Sequence, residues 1–103
     1  MSTRRLIDFE VTSDEGAERV NEALVGVFEA LAGQRPDGVR LAYWRVTGGR
    51  RFHALIELVD EGPNPLMDIP ASRALPGLIG SCVDGGYPRP VTVELVGSYG
   101  FDV

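Results

Sequence analysis

Hydrophobic and polar residues alternate from Arg5 to Val11. Ile7, Phe9 and Val11 fall on one side and Leu6, Asp8 and Glu10 on the other, the period-2 signature of a half-buried strand. The period then changes. Thr12-Ser13-Asp14-Glu15 reads as a helix start, with a hydroxyl cap, a glutamate three residues on, and early acids that suit the helix dipole. From Ala17, the residues Val20, Leu24, Val27, Phe28 and Leu31 follow helical spacing. This predicts a first helix over roughly Ser13 to Ala32, with Gly33 as the residue that ends it and Pro36 blocking continuation.

Two further strands are predicted at Val39 to Val46 and Phe52 to Val59, both rich in β-branched and aromatic residues. Between them, Thr47-Gly48-Gly49-Arg50 is a hairpin signal, since two glycines accept the positive φ angles of a primed turn. Glu61 to Pro65 reads as a loop, with Asn64 capping a helix that has Pro65 at its first position. The second helical region, Pro65 to Val83, carries Pro70, Pro76, Gly77 and Gly80. It predicts a short turn near Leu66 to Ile69, then a helix from about Ala71 that kinks or restarts at Pro76. Asp84 to Pro90 is a connecting loop. Val91 to Tyr99 is the last predicted strand, with Val91, Val93 and Leu95 opposing Thr92, Glu94 and Val96. Strand, helix, hairpin, helix, strand is βαββαβ. With right-handed crossovers it gives an α+β, ferredoxin-like domain: a four-stranded antiparallel sheet of order 4-1-3-2 with two helices on one face.

The hairpin turn also predicts a register. An even-length loop centred on Gly48-Gly49 pairs Trp44 with His53, Ala42 with Leu55 and Arg40 with Glu57 on one face. The other face then pairs Tyr43 with Ala54, Leu41 with Ile56 and Val39 with Leu58. The second set is nearly all apolar and belongs under the helices with Ile7, Phe9, Val11, Val91, Val93 and Leu95. The first set, joined by Leu6, Asp8, Glu10, Thr92, Glu94 and Val96, is mixed. It would leave Trp44, Leu55, Leu6 and Val96 in water together, the kind of patch that marks an interface. A homodimer through this sheet face is the expectation.

Composition narrows the function classes. A chain of 103 residues, 44% hydrophobic and 24% charged, fits one folded domain over residues 1–103. Its apolar stretches are too short for a membrane span and the N-terminus does not lead into a signal-peptide core, so a cytoplasmic protein with no membrane partner is expected. The net charge of −5, with all ten basic residues arginine, argues against nucleic-acid backbone binding. The lone cysteine, Cys82, falls in an apolar-periodic stretch and reads as a small buried hydrophobe. No phosphate-loop, dinucleotide, zinc-protease or serine-hydrolase motif is present, so no cofactor is expected.

A family resemblance enters with particular segments. Asn64-Pro65-Leu66 through Pro70-Ala71, then Leu78-Ile79 and the closing Val96-Gly97-Ser98-Tyr99, resemble small actinobacterial proteins grouped with the antibiotic biosynthesis monooxygenases, within the dimeric α+β barrel superfamily. The resemblance covers most of the chain and implies two such sheets packed into a barrel. It also implies a small aromatic or polyketide-like ligand, with metal-free, flavin-free oxygenation as the family's better-known chemistry. Pro76 departs from the smoother second helix of these relatives.

Few side chains are suited to chemistry. His53 is the only histidine, and imidazole is the side-chain type suited to proton transfer near neutrality. It stands as a base toward a phenol or as a hydrogen-bonding group within an interface. Trp44, Tyr43, Tyr99 and Phe52 are candidates to line an aromatic pocket, or to pack in core and interface. Glu57 is a candidate binding residue one strand repeat from His53. Asp8, Glu10, Glu57 and Glu94 share that face, but no ligand spacing supports a metal, and ion pairing with Arg40 and other arginines is the expectation. Three readings stand: a homodimer that binds a small aromatic molecule, extending to cofactor-independent oxygenation; a non-catalytic small-molecule-binding or regulatory domain; and a purely structural homodimer.

Overall fold

The computed structural model describes residues 3–59 and 64–101. The chain runs β1 (Thr3–Glu10), α1 (Asp14–Gln34), β2 (Val39–Arg45), β3 (Arg51–Leu58), a 3-10 turn (Pro65–Asp68), α2 (Pro70–Cys82) and β4 (Val91–Val93). Among the described residues the sheet has four antiparallel strands in the order β2-β3-β1-β4, which is the predicted 4-1-3-2 read from the other edge. The expected loop before Pro65 lies mostly outside the described residues.

Local chemistry accounts for most boundaries. Ser13, in extended backbone, is the cap of α1, and its hydroxyl accepts a 3.0 Å hydrogen bond from Gly16 N. Thr12, the other hydroxyl at this start, is turned instead toward Cys82 O. α1 outruns its expected end by two residues. Gly33 stays helical, and Arg35 takes the left-handed conformation (φ 50°) while its N–H reaches Leu31 O, just before Pro36. Asn64 Oδ1 accepts from Leu66 N at 2.9 Å and caps the 3-10 turn, with Pro65 at its first position as predicted. The helix that follows runs from Pro70 to Cys82 with Pro76 inside it, so the helix does not restart there.

The hairpin register is the predicted one at every pair: Trp44 opposite His53, Ala42 opposite Leu55, Arg40 opposite Glu57. The turn that enforces it needs one positive φ, not two. Gly49 N bonds to Val46 O at 2.8 Å, and Gly48 between them has φ +72°, the third position of a turn that demands glycine when φ is positive.

The core sits between one sheet face and both helices. Ile7, Phe9 and Val11 of β1 and its exit meet Phe52 and Ala54 of β3, Ala17, Val20, Leu24 and Val27 of α1, and Leu75, Ile79 and Cys82 of α2. Phe9 and Phe52 stack with ring centroids 5.3 Å apart. Gly16 lets the helices close up: a Cβ there would lie 3.1 Å from Ser13 Oγ and 3.6 Å from Cys82.

β4 departs from the sequence expectation twice. It is paired only over Val91–Val93, not to Tyr99. Its register is also inverted: Val91 stands opposite Leu6 and Val93 opposite Arg4, so both belong to the helix-free face, while Thr92 joins the helix side opposite Arg5. A period-2 pattern names two alternate sets but not which faces the core, and a one-residue slip exchanges them.

Candidate functional site

Register stacks the helix-free face into rows that cross the strands. The first is Arg40–Glu57–Arg4–Val93, the second Ala42–Leu55–Leu6–Val91, and the third Trp44–His53–Asp8. The first row holds one carboxylate between two guanidiniums. Glu57 Oε2 pairs with Arg4 Nε, and Glu57 Oε1 lies 3.2 Å from Arg40 Nη1. Glu57 is only 5% exposed, although it lies on the face without helices. The middle row is apolar and uncovered, with Leu6 43% and Val91 60% exposed. At the far end Arg51 lies 3.5 Å from Asp8 and 3.6 Å from Glu10. Glu57, Asp8 and Glu10 are thus drawn into arginine pairs, as the sequence predicted for Glu57 and Arg40.

Clefts border these rows. The largest, about 500 Å³, opens at the β2 edge between α1 and the sheet and is walled by Leu24, Val25, Phe28, Tyr43, Trp44 and Phe52. Phe28 meets Tyr43 edge-to-face at 6.4 Å. Arg45 lies 5.7 Å above the Phe52 ring and pairs with Glu18 at 3.1 Å. Burial pushes the Tyr43 phenol far above its ordinary value, and the Tyr87 phenol adds to the shift, so Tyr43 is a protonated hydroxyl at neutral pH. A second cleft, about 260 Å³, lies on the helix-free face among Arg4, Arg40, Trp44, Leu55, Glu57 and Phe101. The third, about 370 Å³, is where His53 opens, with Leu6, Asp8, Arg89 and Val91.

The predicted site residues are therefore brought together only in part. Trp44 and His53 are cross-strand neighbours, and both are exposed. Tyr43, next to Trp44 in sequence, points to the opposite face and shares only the α1–β2 cleft with it. Glu57 shares the sheet-face cleft with Trp44 but not with His53. Tyr99 is 95% exposed and borders none of these clefts. Sequence reasoning missed Arg4 as the second partner of Glu57. Arg4 lies one residue before the alternation read from Arg5 to Val11, and the pairing of β1 with β3 that sets it opposite Glu57 is not fixed by any turn. Phe28, which follows the helical spacing of α1 and packs against the core, also walls the largest cleft.

Among the described residues, no three His, Cys, Asp or Glu side chains cluster so as to hold a metal ion, and no helix is long and apolar enough to cross a membrane.

No family model matches the chain, and no curated protein matches it in sequence. Solved structures do. A dimeric ferredoxin-like protein of unknown function from Jannaschia superposes with a TM-score of 0.67 at 14% identity, covering 92% of this chain and 100% of that one. A dimeric ferredoxin-like protein of unknown function from Thermobifida fusca gives 0.64 at 20% identity, with 92% of each chain covered. A Bordetella bronchiseptica protein, provisionally named an antibiotic biosynthesis monooxygenase, gives 0.61 at 12% identity, covering 92% and 97%. At these identities the likeness shows the fold. The chain has the ferredoxin-like fold found in those proteins, and the resemblance drawn from its sequence holds at that level.

Proposed function

We propose that this chain is a homodimer, assembled through its helix-free sheet face, that binds a small aromatic molecule in the cleft between α1 and β2. The observation that carries the reading is the position of Trp44. It is 55% exposed and borders both the α1–β2 cleft and the sheet-face cleft, beside an uncovered apolar row. A half-exposed indole adjoining such a row costs free energy in water and gains it against a ring or a second sheet. The α1–β2 cleft is of ordinary ligand-pocket size and is walled mainly by aliphatic and aromatic side chains. The dimeric state of two structural neighbours supports the assembly.

Binding is preferred here to oxygenation. An oxygenase acting on a phenol in this cleft needs a base beside it. The phenol that walls the cleft, Tyr43, is protonated at neutral pH like any tyrosine and burial only makes it a weaker acid, and His53 opens into a different cleft. The test has two arms. Calorimetric titration with 1-naphthol is expected to give a Kd below about 1 mM, and Val25→Trp, which fills the cleft from an exposed helix position, should abolish it. Sedimentation should show a dimer at micromolar concentration and a monomer for Leu55→Arg. A monomeric wild-type chain removes the assembly, and absence of naphthol binding removes the ligand. Consumption of dioxygen with a phenol, lost in His53→Gln while the dimer persists, would restore the oxygenase reading.

A further inference from the structure

We infer that the α1–β2 cleft takes an elongated aromatic acid, with its ring against Phe28 and Tyr43 and its carboxylate at Arg35, the residue that ends α1. The inference rests on the proposed aromatic ligand and names its class. The cleft does not stop at Phe28. A further cleft of about 350 Å³ lies toward the end of α1, among Leu31, Arg35, Pro36, Val39 and Leu41, and both clefts have Phe28 and Ala32 as walls. Val39, Leu41 and Tyr43 are alternate residues of β2 and so share one face of that strand. The two clefts therefore follow one another as a single groove along the β2 edge of the sheet. At their joint Ala32 is small and exposed, which leaves a passage from one to the other.

The charges of this groove differ from end to end. Near the ring position, Arg45 is taken up by Glu18 and by the Gly49 carbonyl, and Glu29 brings a carboxylate to the wall. At the other end the walls are apolar except for Arg35. Among the described residues, no carboxylate or carbonyl engages its guanidinium. An acid is thus repelled beside Glu29 and matched at Arg35, about 10 Å of helix axis beyond Phe28. A guanidinium receives a carboxylate through paired, charge-assisted hydrogen bonds, whereas a neutral ring leaves it to water. The backbone supplies an independent observation. Arg35 is the one described non-glycine residue with a positive φ, 50°, at a helix end where glycine or asparagine is the usual occupant. It bears a conformational cost that glycine would avoid, an arrangement that points to a task for its side chain. Balancing the negative pole of α1 is the structural alternative, and a lysine would do that equally well.

Calorimetry with 6-(1-naphthyl)hexanoate, the matching alcohol and 1-naphthol tests the inference. The long acid is expected to bind about tenfold more tightly than its alcohol at low ionic strength, with the advantage shrinking as salt rises. Arg35→Asn, which suits the left-handed backbone, should remove that advantage and leave 1-naphthol within about twofold of wild type. Arg35→Lys keeps the charge at the helix pole but not the paired donors, and should keep only part of the advantage. Ala32→Leu, a change the helix accepts, should weaken the long acid about tenfold by closing the joint while sparing 1-naphthol. Circular dichroism verifies that each variant is folded. A long acid no tighter than its alcohol, or an advantage that survives Arg35→Asn, overturns the inference, and 1-naphthol binding then leaves the proposed function standing. Where 1-naphthol does not bind, the proposed ligand falls, and the inference falls with it unless the acid still binds through Arg35.

Discussion

The two faces of this sheet are made by the same strands, yet among the described residues only one is covered by helices. On the helix side, alternate residues of β1 and β3 are closed over by α1 and α2, and Phe52, Ala54 and Ile7 are 1%, 0% and 3% exposed. On the other side the intervening residues include Trp44, Leu6 and Val91, all largely in water, beside a buried carboxylate and its two arginines. The first face behaves as a core. The second is apolar in the middle and charged at both ends, the composition on which the proposed assembly rests. Burial therefore separates residues that matter for folding from residues to which the proposed function assigns recognition.

Substitutions test that separation, and the largest effect should come from the covered face. Phe52→Ala removes a ring from the Phe9 stack and opens a cavity beneath α1. It is expected to cost about 3–5 kcal/mol in denaturant unfolding; a loss under about 1 kcal/mol would mean that the helix side is loosely packed. Glu57→Gln comes next. It leaves two guanidiniums without their carboxylate, and because both arginines keep some solvent the cost should be about 2 kcal/mol. A stability unchanged within error would show that the row is a surface pair of no structural weight.

The third effect is one of pH. The Tyr43 phenol is pushed up from its ordinary value of 10 by burial, so its folded value lies above its unfolded one. The unfolded chain loses the proton first. Stability is then intact below about pH 10 and falls as pH rises past it, with a slope approaching about 1.4 kcal/mol per pH unit. Unfolding curves at successive alkaline pH values should show this decline, and Tyr43→Phe should flatten it. An unaltered decline in Tyr43→Phe would assign it to other groups. Smallest of all should be the effect of Leu6→Arg on folding, about 0.5 kcal/mol or less, because the position is 43% exposed in the single chain. The same change is expected to shift sedimentation from dimer to monomer. A large folding cost without a change in assembly would erase the distinction between the faces.

How much of this was legible in the sequence depended on what fixes each strand. The pairing of β2 with β3 was readable because only four residues lie between Val46 and Arg51 and Gly48 determines how they turn. From it came the Trp44–His53 neighbours and the Arg40–Glu57 pair. β4 was not readable in the same way. It follows a loop that holds Pro88 and Pro90, pairs over three residues, and has no turn to pin it to β1, so its alternation was assigned to the wrong face. The second arginine of the charged row was hidden for a related reason, since β1 and β3 are connected only through α1 and β2. The largest cleft was hidden because it depends on where α1 ends its cover of the β2 edge, and helical spacing alone does not show that Phe28 walls it.

The Gly48 turn carries a consequence for how this protein can vary. Because Val46 and Arg51 are tied across it by a 2.9 Å hydrogen bond, the number of residues between them acts like a reading frame for the strands on either side. An insertion of one residue, if absorbed by sliding β2 along β3, would turn Trp44 inward and Tyr43 outward, exchanging the contents of the two faces at a stroke. An insertion of two could lengthen the loop or the ladder and leave every side chain on its own side. Descendants of this chain should therefore tolerate changes of loop length by parity rather than by size, with odd steps surviving only where a bulge absorbs the extra residue.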